Sequence, residues 1–502
     1  MDKIFQHPII KILDDLAESD TSIYLVGGAV RDGLLGKSIY DFDFVVSARA
    51  LQIARKVANA LGGAYYPLDA KRQYGRVIWD PPQGKRLKFD FALQYGRSIE
   101  EDLGHRDFTI NAIAIDLRKK DQLIDPLNGA ADILAKTLRA CSEESLRDDP
   151  LRVVRGVRFA LNLGFRIEPQ TWHWMVAASS GLTAVSGERL GEEVFRLLSA
   201  YSVASSIRLL DRVGALPYTF PELLSLKGVE QSLPHRQDVY QHTLAVINRL
   251  EDVLEILSPA FDQERQANLV MGMTSLRLGR YREKIAEYLE ERFTPERNKR
   301  SLLFLAALYH DSGKALSGIK DENGRWRFFD HEKLSARFVT ELGQRLALAN
   351  HEVEWVKQVV SSHMRPILLT NEQGIPGRRA VYRFFRQVGE AGVGVVLLSL
   401  ADVLGIYGYA LPVELWSKHL DTTRELLQAW WEEKQEKVSP PPLLDGNEVM
   451  LQFGLKPSPL VGQILEGIRE AQAIGEVRSK ADALQLAERI LRAEQSGSEE
   501  SG

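Results

Sequence analysis

Asp41 and Asp43 stand two residues apart in the run Asp41-Phe42-Asp43-Phe44-Val45-Val46. Side chains of a strand alternate faces, so this spacing sends both carboxylates to one side and Phe42 and Phe44 to the other. Two carboxylates on one face repel each other unless a cation lies between them. Oxygen-only ligands of this kind suit Mg2+ shared with substrate phosphates. Upstream, Gly27 and Gly28 interrupt an apolar run from Ile23 to Val26, and their missing β-carbons admit a ligand close to the backbone. A glycine turn for a triphosphate beside a carboxylate pair for metal is the equipment of phosphoryl or nucleotidyl transfer. Alone, Gly-Gly is a turn and Asp-x-Asp a solvated strand edge. The order strand, glycine pair, helix, strand, carboxylate pair argues for chemistry.

A second constellation occupies the later half of the chain: His242, His310-Asp311, His331, His363 and Asp402, on separate helical stretches. Imidazole plus carboxylate without cysteine suits a divalent transition metal or Mg2+. A lone histidine is more often a core or capping residue, but this is an ordered set.

The elements that must position these groups follow from periodicity. Residues 1–22 carry Ile9, Ile10, Ile12, Leu13 and Leu16 at helical spacing, and Ala48 to Leu61 reads as an amphipathic helix stopped by Gly62-Gly63. Strands are expected around Gly75–Trp79 and over Leu87–Ala92, where Asp90 is either a third metal carboxylate or a solvent-facing strand residue. Asp149 is placed to cap a helix begun by Pro150. Arg152, Arg155 and Arg158 then form a stripe beside Leu151, Val154 and Val157. A charge-rich stretch from Arg277 to Arg300 reads as an exposed helical insertion. Glu432 to Pro442 reads as a linker, and the closing SGSEESG as disordered.

At 502 residues the chain needs several cores. A composition of 44% hydrophobic and 26% charged residues is that of an ordinary soluble protein, and a net charge of −4 excludes a globally basic nucleic-acid binder. The single cysteine, Cys141, excludes an internal disulfide. Ala391 to Val413 is apolar enough for a membrane span, but Asp402 in its middle favours a buried helix. With no signal-peptide pattern at the N-terminus, a cytoplasmic protein with no membrane partner is expected.

Val26-Gly27-Gly28-Ala29-Val30-Arg31-Asp32 followed by Asp41-Phe42-Asp43 resembles the first motif of the class II tRNA nucleotidyltransferase (CCA-adding enzyme) and bacterial poly(A) polymerase family, within the polymerase-β-like superfamily. His105-Arg106-Asp107-Phe108-Thr109-Ile110-Asn111-Ala112 is similar to its second motif, with His105 in place of an arginine. Asp125-Pro126-Leu127-Asn128-Gly129 is similar to the third, and Asp148-Asp149-Pro150-Leu151-Arg152 to the fourth, with Asp148 in place of a glutamate. Ser186-Gly187-Glu188-Arg189 resembles the fifth, and the ordered His/Asp set resembles the HD phosphohydrolase superfamily.

The resemblance implies an α+β head with a small mixed sheet (residues 1–145), a helical neck (146–225), an HD-like helical domain (226–430), and a linker with a helical tail (431–502). It implies template-independent addition of C and A to tRNA 3′ ends from CTP and ATP. Asp41 and Asp43 would be the catalytic Mg2+ ligands. Gly27, Gly28 and Arg31 would take the triphosphate, Arg106, Asp107 and Asn111 the sugar and phosphates, and Asp149 and Arg152 the base edge. Arg155 and Arg158 would complete that pocket. His242, His310, Asp311, His331, His363 and Asp402 would hold a second divalent metal. Poly(A) polymerase and CC-only or A-only enzymes share these motifs. A phosphohydrolase whose head only binds RNA is the alternative of another class.

Overall fold

A computed structural model describes residues 8–16, 21–119, 123–200, 202–262, 268–295, 297–370 and 375–499. The chain divides into two compact units, one of residues 1–200 and 205–219, the other of residues 201–204 and 220–502.

The first unit is built on a seven-stranded mixed sheet in the order β3-β4-β5-β2-β1-β6-β7. The strands are β1 (Ile23–Val26), β2 (Asp41–Val46), β3 (Ala64–Asp69), β4 (Tyr74–Trp79), β5 (Leu87–Leu93), β6 (Ala114–Asp116) and β7 (Leu123–Ile124). Within this sheet, among the described residues, only β2 and β5 pair in parallel. The expected alternation holds in β2, where Phe42 and Phe44 are buried, Phe42 packing tilted against Phe89 and Phe44 stacking on Phe91 of β5. Helix α1 (Pro8–Leu16) buries Ile9, Ile10 and Leu13, while the remainder of the expected 1–22 helix falls at 1–7 and 17–20, outside the described residues, or in β1's lead-in. Helix α2 (Gly28–Leu34) follows the glycine pair, and α3 (Ala50–Leu61) ends on Gly62 in the left-handed conformation.

Short α4 (Ile99–Gly104) and α5 (Glu143–Asp148) lead to the neck helices α6 (Leu151–Leu163), α7 (Pro169–Ala178), α8 (Gly187–Leu198) and α9 (Val203–Arg212). One expectation is corrected here. Pro150 is the boundary residue of α6 and no side chain caps it, so the Asp149 carboxylate is free for another partner. The third-motif turn is a docking element: Asp125 accepts from the Gly129 and Ala130 amides at 2.7 and 2.9 Å. A β-carbon on Gly129 would fall 2.0 Å from the Thr109 carbonyl oxygen, so only glycine lets this turn reach the second motif.

The second unit is helical, with two short hairpins at residues 292–298 and 318–328. Its core helices are α10 (Val239–Ile256), α11 (Lys299–Tyr309), α12 (His331–Arg345), α13 (Asn350–Ser362), α14 (Arg378–Val388), α15 (Gly392–Tyr407) and α16 (Val413–Trp431). The apolar run expected to be a buried helix is α15, covered by protein from Gly392 to Leu404. The stretch from Arg277 to Arg300 is not an exposed insertion. Tyr281, Ile285, Tyr288 and Leu289 are buried, and Arg297 pairs with the buried Glu352 at 2.8 Å. Charge content misled because these charges have partners distant in sequence. The 432–442 segment is likewise pinned, Lys437 bridging Glu425 and Glu433 at 2.7 and 2.6 Å. The tail helices α17 (Gly446–Phe453), α18 (Pro459–Ile474) and α19 (Lys480–Glu499) share one apolar cluster. Ser496 to Glu499, expected to be disordered, continue α19, and residues 500–502 lie outside the described residues.

Candidate active site and metal centre

β1 delivers the chain to Gly27, whose φ of 71° is a conformation that glycine takes without strain. A β-carbon there would lie 3.1 Å from Arg106 Nη1 and 3.4 Å from Asp43 Oδ2, so glycine keeps open a space between a cation and a carboxylate. In the β2–β5 register Asp41 neighbours Lys88 and Asp43 neighbours Asp90. Burial pushes the Asp43 carboxyl above its usual range and the charge of Asp90 adds to this, while Arg106 and Lys88 pull the other way. Asp90 is only 5% exposed, which excludes the solvent-facing reading. Its oxygens accept from Arg76 Nε at 2.8 Å, Arg76 Nη2 at 3.0 Å and the Tyr74 hydroxyl at 2.7 Å. Asp41 is exposed, with Lys88 Nζ 3.3 Å away. Crowded carboxylates, one of them buried, facing open space are a donor set that fits a hard divalent cation.

The second motif forms the adjoining wall. Arg106 donates to Asp102 at 3.2 and 3.1 Å, and His105, resting its ring 4.2 Å from Tyr95, bonds through Nδ1 to the Glu101 carbonyl oxygen. Asp107 is enclosed: Asn111 Nδ2 at 3.0 Å, the Phe108 amide at 2.8 Å and Arg155 at 3.0 and 2.6 Å all donate to it. Burial alone would raise this carboxyl, but Arg155 and these hydrogen bonds outweigh it and hold it at about 2. A depressed acid stabilises the fold above its unfolded pKa, and that contribution is lost as pH falls through the folded one. The shift from 3.8 to about 2 is worth roughly 2–3 kcal/mol. In urea titrations, Asp107→Asn is therefore expected to be less stable than the parent at pH 7, with the gap closing as pH drops from 4 towards 2. A gap independent of pH contradicts this role.

Arg31 donates to Asn111 Oδ1 at 2.6 Å and to Asp32 at 2.9 Å, tying the first motif to the second. Its guanidinium, with those of Arg155 and Arg158, surrounds the Phe159 ring at 5.3, 5.5 and 4.4 Å. Arg158 is paired with the buried Glu193. Arg31, Arg155 and Arg158 thus share one ring and are tied to Asn111, Asp107 and Glu193. An open cleft of about 1370 Å3 is lined by His105, Arg106, Asp148, Asp149, Arg152 and Arg189 among others. Arg152 donates to the Ser145 carbonyl oxygen at 3.1 Å, and Arg189 to the Asp149 carboxylate at 2.7 Å. Sequence reading left out Arg189, Glu193 and Phe159 as site residues. Arg189 stood in a quoted motif, but nothing local marks its long-range partner.

In the second unit, α10 supplies His242, the end of α11 His310 and Asp311, the start of α12 His331, the end of α13 His363, and α15 Asp402. All six are buried. Asp311 lies 3.4 Å from His242, 3.3 Å from His310, 3.3 Å from His331 and 3.9 Å from His363. Asp402 lies 3.1 Å from His242 and 3.7 Å from His310. His310, His331 and His363 present Nδ1 to the carbonyl oxygens of Ala307, Phe328 and Val360 at 2.8, 2.9 and 2.7 Å, which leaves Nε2 to face inward.

The four inward Nε2 atoms, including that of His242, are buried without a hydrogen-bond partner among the described residues. Unpaired buried acceptors are costly, and a divalent metal is what satisfies them. Two groupings, His242/His310/Asp311 and Asp311/His331/His363, each bring their ligand atoms within 4.8 Å and share Asp311. Burial opposes charge on Asp311, but Lys314 and the imidazoles of His310 and His331 hold it well below the carboxylate range. Lys314, missed as a site residue, lies 2.7 Å from Asp311 and 2.8 Å from Gln231.

Family models match three stretches of the chain. A poly A polymerase head domain matches residues 23–139, a probable RNA and SrmB-binding site of polymerase A matches 164–226, and an HD domain matches 274–405. The chain is 32% identical over 481 residues to the A-adding tRNA nucleotidyltransferase of Deinococcus radiodurans, covering 93% of this chain and 94% of that one. It is 33% identical over 465 residues to the CC-adding tRNA nucleotidyltransferase of Thermus thermophilus, covering 91% of each. A multifunctional CCA protein of Pseudomonas fluorescens is 33% identical over 323 residues, 59% of this chain and 76% of that one. The fold is shared with a CCA-adding enzyme solved with ATP, at a TM-score of 0.60 and 21% identity over 97% of this chain and 95% of that one.

Proposed function

The chain belongs to the class II CCA-adding enzyme and poly(A) polymerase family and carries an HD domain; from this we propose that it adds C or A residues to tRNA 3′ ends, building one part of the CCA terminus. The observation that carries transfer is the Asp43–Asp90 juxtaposition facing the Gly27 opening beside Arg106. Asp41 and Asp43 would hold Mg2+, which would supply charge against the triphosphate and favour the ionised RNA 3′-hydroxyl. Gly27 lets the phosphates approach the backbone, and Arg106 offers them a guanidinium. The RNA hydroxyl attacks the α-phosphorus and pyrophosphate departs.

Support for partial addition comes from how far sequence similarity extends, since the fold itself is shared along 97% of the chain with a CCA-adding enzyme. The relatives that add A alone or CC alone match along 93% and 91% of the chain, the multifunctional CCA relative along 59%. Labelled CTP or ATP should be incorporated into a tRNA transcript in the presence of Mg2+, and failure with both nucleotides overturns the reading.

Asp149, Arg152 and Arg189 line the cleft, and their carboxylate oxygens and guanidinium donors are of the kind that can read a base edge. Asp149→Asn turns an acceptor into a donor. It is expected to shift CTP-against-ATP choice by roughly one to two decades in kcat/KM, the worth of a hydrogen bond to a charged group. If Asp149 serves only to anchor Arg189, stability falls and nucleotide choice in competition assays does not move.

The HD unit supports a second reading beside the first, a metal-dependent phosphohydrolase centre. The four unpartnered imidazole nitrogens favour it.

A further inference from the structure

A hollow of about 430 Å3 opens in the neck of the first unit, where Ala160, Leu161, Phe165, Trp172 and Leu209 make an apolar floor and wall and Arg212 the rim. This is the small end of ligand-sized pockets. Trp172 is only part-buried, and the Arg212 guanidinium lies 5.6 Å from its ring. Arg208, one turn before Arg212 on α9, and Arg166, between the lining residues Phe165 and Ile167, are exposed. Arg166, Arg208 and Arg212 have no carboxylate partner among the described residues. Among the described residues no acid lines the hollow. The nearby Glu168 is occupied, accepting from the Thr171 amide at 2.7 Å and lying 3.6 Å from Arg139.

An aromatic face on an apolar floor, ringed by unneutralised arginines, is the chemistry that takes a flat base and its phosphate. An apolar protein side chain would use the floor but leave three guanidiniums unanswered. We propose that this hollow receives one unpaired nucleobase of the RNA substrate, stacked on Trp172, with Arg212 on its phosphate. The proposal rests on the RNA-extending function above. It narrows RNA contact in the neck, where a probable RNA-binding model already matches, to one stacked base on Trp172, apart from the residues that line the nucleotide cleft, and so separates RNA affinity from nucleotide affinity.

Fluorescence anisotropy with a labelled tRNA transcript ending before its CCA tests this on the full chain. Trp172→Ala should weaken RNA binding about 5- to 150-fold, the range for losing one base–aromatic stack. Trp172→Phe should keep most of the affinity, and Arg212→Ala should lower the slope of log Kd against log salt by about one. KM for CTP or ATP should not move in any of the three. Parental RNA affinity in Trp172→Ala, with a parental circular-dichroism melt, overturns the proposal and leaves the transferase reading standing. Equal losses in Trp172→Phe and Trp172→Ala show packing rather than stacking and also overturn it. A parent chain that neither binds nor extends tRNA removes the functional reading together with the pocket.

Discussion

Asp43→Ala is expected to lower nucleotide addition at least about a thousandfold, equivalent to roughly 4 kcal/mol of transition-state stabilisation lost with the metal. The fold should survive, and stability at neutral pH should be unchanged or raised. Asp43 is part-buried beside Asp90 and its charged form is disfavoured there, so removing it relieves a repulsion. A residue kept for structure behaves in the opposite way. Loss of activity together with loss of stability would make Asp43 a fold determinant. Parental activity in the variant would remove it from the transfer centre.

Asp311→Asn should empty the HD centre and leave nucleotide addition untouched. Asp311 belongs to both His/Asp groupings and lies within 4 Å of four imidazoles, so its loss removes a ligand from each. Replacing residues that merely support metal ligands costs 10- to 100-fold in affinity, so at least about a hundredfold loss is expected for a shared ligand. Titration of the metal-free parent and variant with Mn2+ or Co2+ reads this directly, without reference to any hydrolytic activity. Undiminished metal binding contradicts the centre. Loss of nucleotide addition in a folded variant contradicts the independence of the two chemistries, since the two groups of residues belong to different units.

The chemistry was more legible in the sequence than its supports. Alternation placed Asp41 and Asp43 on one face because strand geometry allows nothing else, and β2 obeys it. The six HD residues could be named because their order is readable along the chain, and the helices bring all six together. Partners supplied by other elements were not legible. Arg189 reaches Asp149 across 40 positions and Arg155 reaches Asp107 across 48, and no local pattern encodes either pair. For the same reason the partners of Arg155 and Arg158, Asp107 and Glu193, are invisible to a local reading.

Strand β3 escaped notice because it is a mostly exposed edge strand containing Pro67, with little apolar alternation to mark it. The expected cap at Asp149 failed by one residue of helix boundary, enough to turn a capping carboxylate into the ligand of an arginine.

Sequencing of 3′ ends tests the central claim most directly. Three tRNA transcripts, ending before the CCA, after CC and after CCA, are incubated with the protein, Mg2+, CTP and ATP together. Partial addition predicts one of two outcomes: two C residues on the first transcript and no further growth, or one A on the second with the first left unextended. A complete CCA on the first transcript contradicts partial addition, and an A-tract grown past the end of the third contradicts a tRNA-end enzyme altogether.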